Sequence, residues 1–375
     1  MSSDNQVGLI TENDRIPPQA LAVLLVITIA EINFLAVPRS LAEVAGRDAW
    51  ISTILGFVLA ALVFWLMYEI SRRFPDKTLV EIAQHVLGKP LGIAVILFFI
   101  AFWLARAGWL LEVQSHMFTR RLLPETPKLI LSGYMLLLSA YLARHGIEPM
   151  ARLFITFFGS FVIVAGVVFL LGLRELEPGR ILPVLSNGVV PVLKGAWLAF
   201  TPAQGLEMIL MLGPLLTRFR GALAAGLTGV GIVGVTAVTL VTLLIMAFGP
   251  DIVAEIVWGA LVFVEQIQLP GFSGFRLDPL FIVLWSLCIF GTVTMCQYLA
   301  SFAIRRLFGW GDNIWPIAIT STILAVFLVI PLDLPQFDYW YFVLSPILMP
   351  IMTLAIPLLI VVVAYVRGLW RTPPE

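Results

Sequence analysis

The 375-residue chain is short of the residues that carry most catalytic and metal chemistry. It has two cysteines, Cys288 and Cys296, and three histidines, His85, His116 and His145. The cysteines fall on one predicted helix, about 12 Å apart at about 1.5 Å per residue, so they cannot bridge each other. They read as small buried apolar residues. No two histidines have metal-ligand spacing, and neither a glycine-rich phosphate loop nor a Gly-x-Ser-x-Gly elbow occurs. No catalytic residue, metal or cofactor is expected. Charged residues make up only 12% of the chain and sum to a net charge of zero, which gives no support to nucleic-acid binding.

What remains is apolar. Hydrophobic residues are 60% of the sequence and the mean hydropathy is +1.00. Successive apolar runs of about 20 residues, separated by short charged loops, define an all-α polytopic membrane protein. Ten spans are predicted, near 19–38, 49–70, 91–115, 128–144, 149–171, 195–216, 222–248, 277–302, 315–331 and 345–366. The short loops imply antiparallel neighbours. Residues 1–18 are polar, lack the basic start and cleavage site of a signal peptide, and read as a soluble tail. A single transmembrane domain follows over 19–370, with a tail at 371–375. With the N-terminus cytoplasmic, 13 of the 23 Lys and Arg residues fall on the inside, 9 outside and Arg106 within a span. This bias favours cytoplasmic N- and C-termini.

Two connections read as helices lying along a membrane surface. Thr78-Leu79-Val80-Glu81 is a capping box opening TLVEIAQHVLG, with Leu79, Ile82, Ala83 and Val86 on one face. The second runs from Pro250 to Gln266, with apolar residues at Ile252, Ile256, Ala260 and Val264. In the seventh span, Ala222/Gly226 and Ala225/Gly229 set small residues four apart, a pattern for close helix packing. The Trp and Tyr residues of 333–346 read as an interfacial aromatic belt.

Polar residues inside the spans point to a site. Glu31 and Asn33 sit in the first span, where an ionisable residue costs about 2.5–3.5 kcal/mol at a helix centre. The sixth span carries Thr201-Pro202-Ala203-Gln204-Gly205 in mid-membrane, with Glu207 just after. Proline removes an amide donor and glycine weakens helix preference. Interrupted helices at matching positions of two five-helix halves, about 19–171 and 195–366, mark a midplane ligand site. Thr28, Ala30, Glu31 and Asn33 surround the first interruption, and Thr201, Gln204, Gly205 and Glu207 the second. Trp103 and Arg106 are added from the third span, and Thr292 and Thr294 from the eighth. Arg106 needs a carboxylate partner, and Glu31 is preferred over Glu207 and Glu112. A bare packing pair, or hydroxyls serving only their own helices, is the competing reading.

Several stretches are similar to the B subunit of bacterial spore germinant receptors. They are RIPPQALAVLLVITIA, VPRSLAEVAGRDAWIS, SRRFPDKTLVEIAQHVLGKPLG, RLLPETP, ILPVLSNGVVPVLKGAW and RLDPLFIVLW. That family belongs to the amino acid–polyamine–organocation transporter superfamily. The resemblance runs from about residue 15 to 370. It implies a LeuT-like fold of ten helices, with 5+5 inverted repeats and helices 1 and 6 broken. It implies sensing of a small nutrient, usually an amino acid, in the spore inner membrane. It also implies work alongside a larger A subunit and a C-subunit lipoprotein, with membrane lipid around the chain. Proton-coupled uptake of amino acids or amines is the alternative. Where the family usually carries Ile-Gly-Val-Gly-Ile-Leu, this chain reads Ile29-Ala30-Glu31-Ile32-Asn33-Phe34. Such a site suits an amine-bearing ligand, or one beside a paired or protonated Glu31, better than an ordinary α-amino acid.

Overall fold

The computed structural model describes residues 15–33, 37–173, 176–267, 277–311, 314–330 and 343–370, without the side chains of 32, 33, 161, 164 and 168. Residues 1–14 of the predicted tail at 1–18, the tail at 371–375 and the aromatic residues of 333–342 lie outside the described residues. Regular structure among the described residues is helical. The helices are α1 (Pro18–Asn33), α2 (Val37–Ala45), α3 (Ala49–Arg73), α4 (Leu79–Leu87), α5 (Lys89–Arg121), α6 (Lys128–Arg144), α7 (Ile147–Gly172) and α8 (Val189–Phe200). After them come α9 (Met208–Leu212), α10 (Ala222–Phe248), α11 (Pro250–Glu255), α12 (Gly259–Gln266), α13 (Asp278–Phe308) and α14 (Trp315–Val329). The last, α15, covers Ser345–Val366 and widens into π geometry over Ile351–Ala355.

Six stretches are long and apolar enough to cross a membrane: Val37–Arg73, Lys89–Arg121, Ile147–Gly172, Phe219–Phe248, Asp278–Phe308 and Ser345–Val366. Pro18–Glu31, Val189–Phe200 and Trp315–Val329 are apolar but shorter. Within the first predicted span, 19–38, α1 is helical through Asn33 and α2 starts at Val37, with 34–36 outside the described residues. The sixth begins earlier than predicted, at Val189, and is divided at 201–207.

The two surface connections differ. α4 forms as the capping box requires: the Thr78 amide donates to Glu81 Oε2 at 2.8 Å, and the Val80 amide donates to Thr78 Oγ1 at 3.3 Å. The stretch from Pro250 to Gln266 is two helices, not one, because Ile256 leaves helical geometry at ψ 118°. The β-branched pair Ile256-Val257 is followed by Trp258 and Gly259, a sequence of weak helix formers.

α1 is the innermost helix. It packs against α10 and α13, with α7 on a further side, and Leu21, Leu24, Leu25 and Ile29 are buried. Lipid is as apolar as these side chains, so close packing rather than hydrophobic burial holds such helices together. The small residues of α10 supply that closeness. A Cβ on Gly229 would lie 2.8 Å from the Ala22 carbonyl oxygen of α1, and one on Gly226 would lie 1.9 Å from Phe64 Cζ of α3. At the end of α9 the backbone of Ile16 is stitched in: its amide donates to Leu215 O, and Thr217 N donates to Ile16 O, both at 3.0 Å.

Because Phe64 is fully buried, Gly226→Ala must displace its ring. We predict a fall in the thermal midpoint of the detergent-purified chain, on the order of 1–3 kcal/mol of overpacking. Phe64→Leu in the same chain should restore most of it.

Candidate functional site: a buried ion pair beside a broken helix

The second interruption is explicit. α8 stops at Phe200, residues 201–207 form turns, and helix resumes at Met208. Gly205 has φ +114°, a conformation that L side chains rarely adopt, and a Cβ there would sit 2.7 Å from Thr28 Oγ1. Glu207 folds back on this turn. Its Oε2 accepts from the Gly205 amide at 2.9 Å, and its Oε1 accepts from Trp103 Nε1 at 3.0 Å. A carboxylate near the start of α9 also answers the free amides of a helix N-terminus.

α1 meets the turn from the other side. Glu31 is fully buried and accepts from Arg106 Nη2 at 2.5 Å and Nε at 3.2 Å. Nη2 also donates to the Thr28 carbonyl at 2.5 Å. The pair expected between Arg106 and Glu31 therefore forms, while Glu112 lies 3.9 Å from His116 instead. Among the described residues, Arg106 Nη1 and Glu31 Oε2 have no hydrogen-bond partner. Thr292, whose hydroxyl lies beside the Glu31 carboxylate, donates to Cys288 O at 3.0 Å and Ile27 O at 3.4 Å.

The remaining candidates are distributed more widely. Thr28, Thr201 and Thr294 return their hydroxyls to Leu24 O, Leu198 O and Phe290 O of their own helices, as hydroxyls in membrane helices commonly do. Ala30 is buried in a separate apolar cluster with Ala42 and Leu240. Asn33 is the last described residue of α1, and its side chain lies outside the described residues. Gln204 is buried, donates through Nε2 to Ser345 Oγ at 3.0 Å, and leaves Oε1 without a partner.

Two contributors escaped sequence reasoning. Trp285 Nε1 donates to the Glu31 carbonyl at 2.7 Å. A buried indole needs an acceptor, and the Glu31 main chain supplies it. The second is Ser345, whose place at the head of α15 gave no polar pattern to read. Open space also lies where it was not expected. A cavity of about 250 Å³ runs between α5, the 201–207 turn and the start of α15, lined by Phe98, Phe102, Arg106, Trp109, Gln204 and Leu348 among others. Of the predicted residues only Arg106 and Gln204 reach it. Between α1, α5, the turn and α13 lie the buried ion pair, Trp103 and Trp285.

Fold and site together define a membrane protein of transporter architecture. The structure superposes on MhsT in complex with L-phenylalanine with a TM-score of 0.59, at 15% identity over 91% of this chain and 88% of that one. It superposes on Mhp1, a nucleobase-cation-symport-1 family transporter, with a TM-score of 0.67, at 10% identity over 95% and 82%. Both carry the LeuT-like fold, and this chain shares it. A family model described as "Spore germination protein" matches residues 15–336. The chain belongs to that family, as its resemblance to germinant-receptor B subunits implied. It is similar to spore germination protein YndE of Bacillus subtilis (strain 168), 28% identical over 75% of this chain and 79% of that one. Spore germination protein KB of the same organism is 25% identical over 79% and 80%. Spore germination protein GerQB of Bacillus cereus is 22% identical over 77% and 79%.

Gly205→Ala should lower the thermal midpoint by an amount equivalent to about 1–3 kcal/mol of backbone strain. Adding Thr28→Ala should recover only part of the loss, because it removes the steric contact and leaves φ unchanged. Full recovery would show that crowding alone fixes this glycine.

Proposed function

We propose that this chain is a nutrient-sensing membrane subunit of a spore germination receptor. In this reading it is a multi-pass protein of the spore inner membrane with both termini cytoplasmic, built from two inverted halves at about 19–171 and 195–366. It works with a larger membrane-anchored subunit and a lipoprotein subunit, and performs no covalent chemistry. A small ligand binds near the two interruptions, drawing first on Arg106 and Gln204, which line the open cavity. Family membership supports the setting. The observation that carries the ligand reading is Arg106, buried yet lining an open cavity with Nη1 unused, while its other nitrogens hold α1.

The arrangement suggests how occupancy is felt. A group that accepts from Arg106 Nη1 pulls on the guanidinium whose other nitrogens hold Glu31 and the Thr28 carbonyl, and so shifts its grip on α1. Any group that draws on Gln204 pulls on the turn that Trp103 and Glu207 brace. A ligand in contact with both therefore biases α1 and α9 together, which is the differential interaction a switch requires.

A proton-coupled transporter is the second reading, favoured by two buried carboxylates, Glu31 and Glu207, in a transporter fold. Spores carrying Glu31→Gln or Gln204→Ala, tested against a nutrient panel, should show a right-shifted germination dose response of about tenfold or more for the affected nutrient. An unchanged response in both removes the site assignment. Purified chain in proteoliposomes should show no saturable uptake driven by a pH gradient. Such uptake by the chain alone would establish the transporter reading instead.

A further inference from the structure

The cavity beside α5 has a definite chemical character. Phe98, Phe102, Ala105 and Trp109 lie one turn apart along α5 and form a single apolar stripe, with Arg106 at its edge; Leu348 of α15 faces them. Its volume, about 250 Å³, falls below the roughly 300–1,000 Å³ of sites for drug-sized ligands. The occupant is therefore small and mostly apolar, with a flat body suited to aromatic walls.

Two side chains more than nine-tenths buried offer polar atoms here. Among the described residues, the hydrogen bonds of Arg106, 7% exposed, run through Nε and Nη2 and leave Nη1 unused, and Gln204, 2% exposed, leaves Oε1 without a partner. Unpaired polar groups at such depth cost about 1–3 kcal/mol each until something meets them. The pair asks for a complementary head group that accepts from one and donates to the other.

Charge narrows the choice further. Arg106 is the only charged residue in the lining among the described residues, and its charge is already balanced by Glu31 across Nε and Nη2. A carboxylate would bring an unbalanced negative charge between apolar walls, next to Glu31. An ammonium would face the guanidinium and find the Gln204 amide oxygen and the Ser345 hydroxyl as neutral acceptors, with no carboxylate in the lining among the described residues. Burying either ion without a counter-ion is costly, whereas a neutral head group avoids this cost.

We infer that this cavity binds a small, uncharged, largely apolar molecule whose head group accepts from Arg106 Nη1 and donates to Gln204 Oε1, as a primary amide or a ureide does. Its part in germination rests on the nutrient-sensing reading above; the binding chemistry does not. The site lies between α5, the 201–207 turn and α15, adjacent to the cluster predicted from the sequence and sharing only Arg106 and Gln204 with it.

Three probes with one body separate the head groups: 3-phenylpropionamide, 3-phenylpropionate and 2-phenylethylamine. They are titrated against the full-length purified chain in nanodiscs, with heat of binding and shift in thermal midpoint as readouts. The amide should bind at least about tenfold more tightly than either ion. Ala105→Trp, which fills the cavity, should abolish this binding. Gln204→Leu, which keeps the volume and removes the acceptor, should bring the amide down to the level of the ions and guards against misfolding of the larger variant. Equal or tighter binding of either ion overturns the inference. So does binding of none of the three, or amide binding unaffected by both variants. Spores carrying Ala105→Trp separate the two claims: selective amide binding by the purified chain, with an unaltered nutrient response of those spores, leaves the site standing and removes its role in sensing.

Discussion

The rest of the site depends on one ion pair taken out of water. Arg106 and Glu31 lie where neither would be stable alone, and the loss of one partner from a buried pair typically costs about 3–5 kcal/mol. Because Glu31 belongs to α1 and Arg106 to α5, their bond fixes the innermost helix against its neighbour. The same guanidinium reaches the Thr28 carbonyl, so it grips α1 at two points one turn apart. From the other side, the Trp285 indole takes up the Glu31 carbonyl. Side chain and main chain of a single residue are thus held by two different helices.

The second broken helix is held by a separate set of bonds. Glu207 keeps both oxygens satisfied, one by Trp103 and one by the Gly205 amide, and needs no cation. Two buried carboxylates therefore have different supports: an arginine for Glu31, neutral donors for Glu207. Trp103 and Arg106 lie three residues apart on α5, which makes that helix the common anchor for both interruptions. A transporter moving through a cycle must release such anchors, whereas a sensor needs only to shift the balance between them.

Much of this was legible in the sequence. An arginine deep in an apolar run demands a carboxylate, and Glu31, itself inside an apolar span, was preferred over Glu207 and Glu112. Pro202 and Gly205 announced a break that the backbone then makes. Thr78 and Glu81 announced a cap, and the glycines of α10 announced close packing. What the sequence did not disclose was mostly relational. Hydroxyls such as Thr201 and Thr294 look like ligand groups in a list of residues, yet each has a carbonyl four or fewer residues back that claims it. The split between α11 and α12 depended on Ile256 abandoning helical geometry, against a periodic apolar pattern that continued through it. The cavity was hidden because its walls are Phe, Ala and Trp at ordinary helical spacing, indistinguishable in sequence from a lipid-facing or core stripe.

The central claim is that Arg106 and Glu31 act as one energetic unit rather than as two independently placed residues. A double-mutant cycle on the purified chain tests this, with thermal unfolding measured for Arg106→Gln, Glu31→Gln and the combination. The account predicts that each single variant is strongly destabilised, and that the double variant is closer to the parent than the sum of the two, by about 1–3 kcal/mol of coupling. Losses that add to within about 0.5 kcal/mol would contradict it.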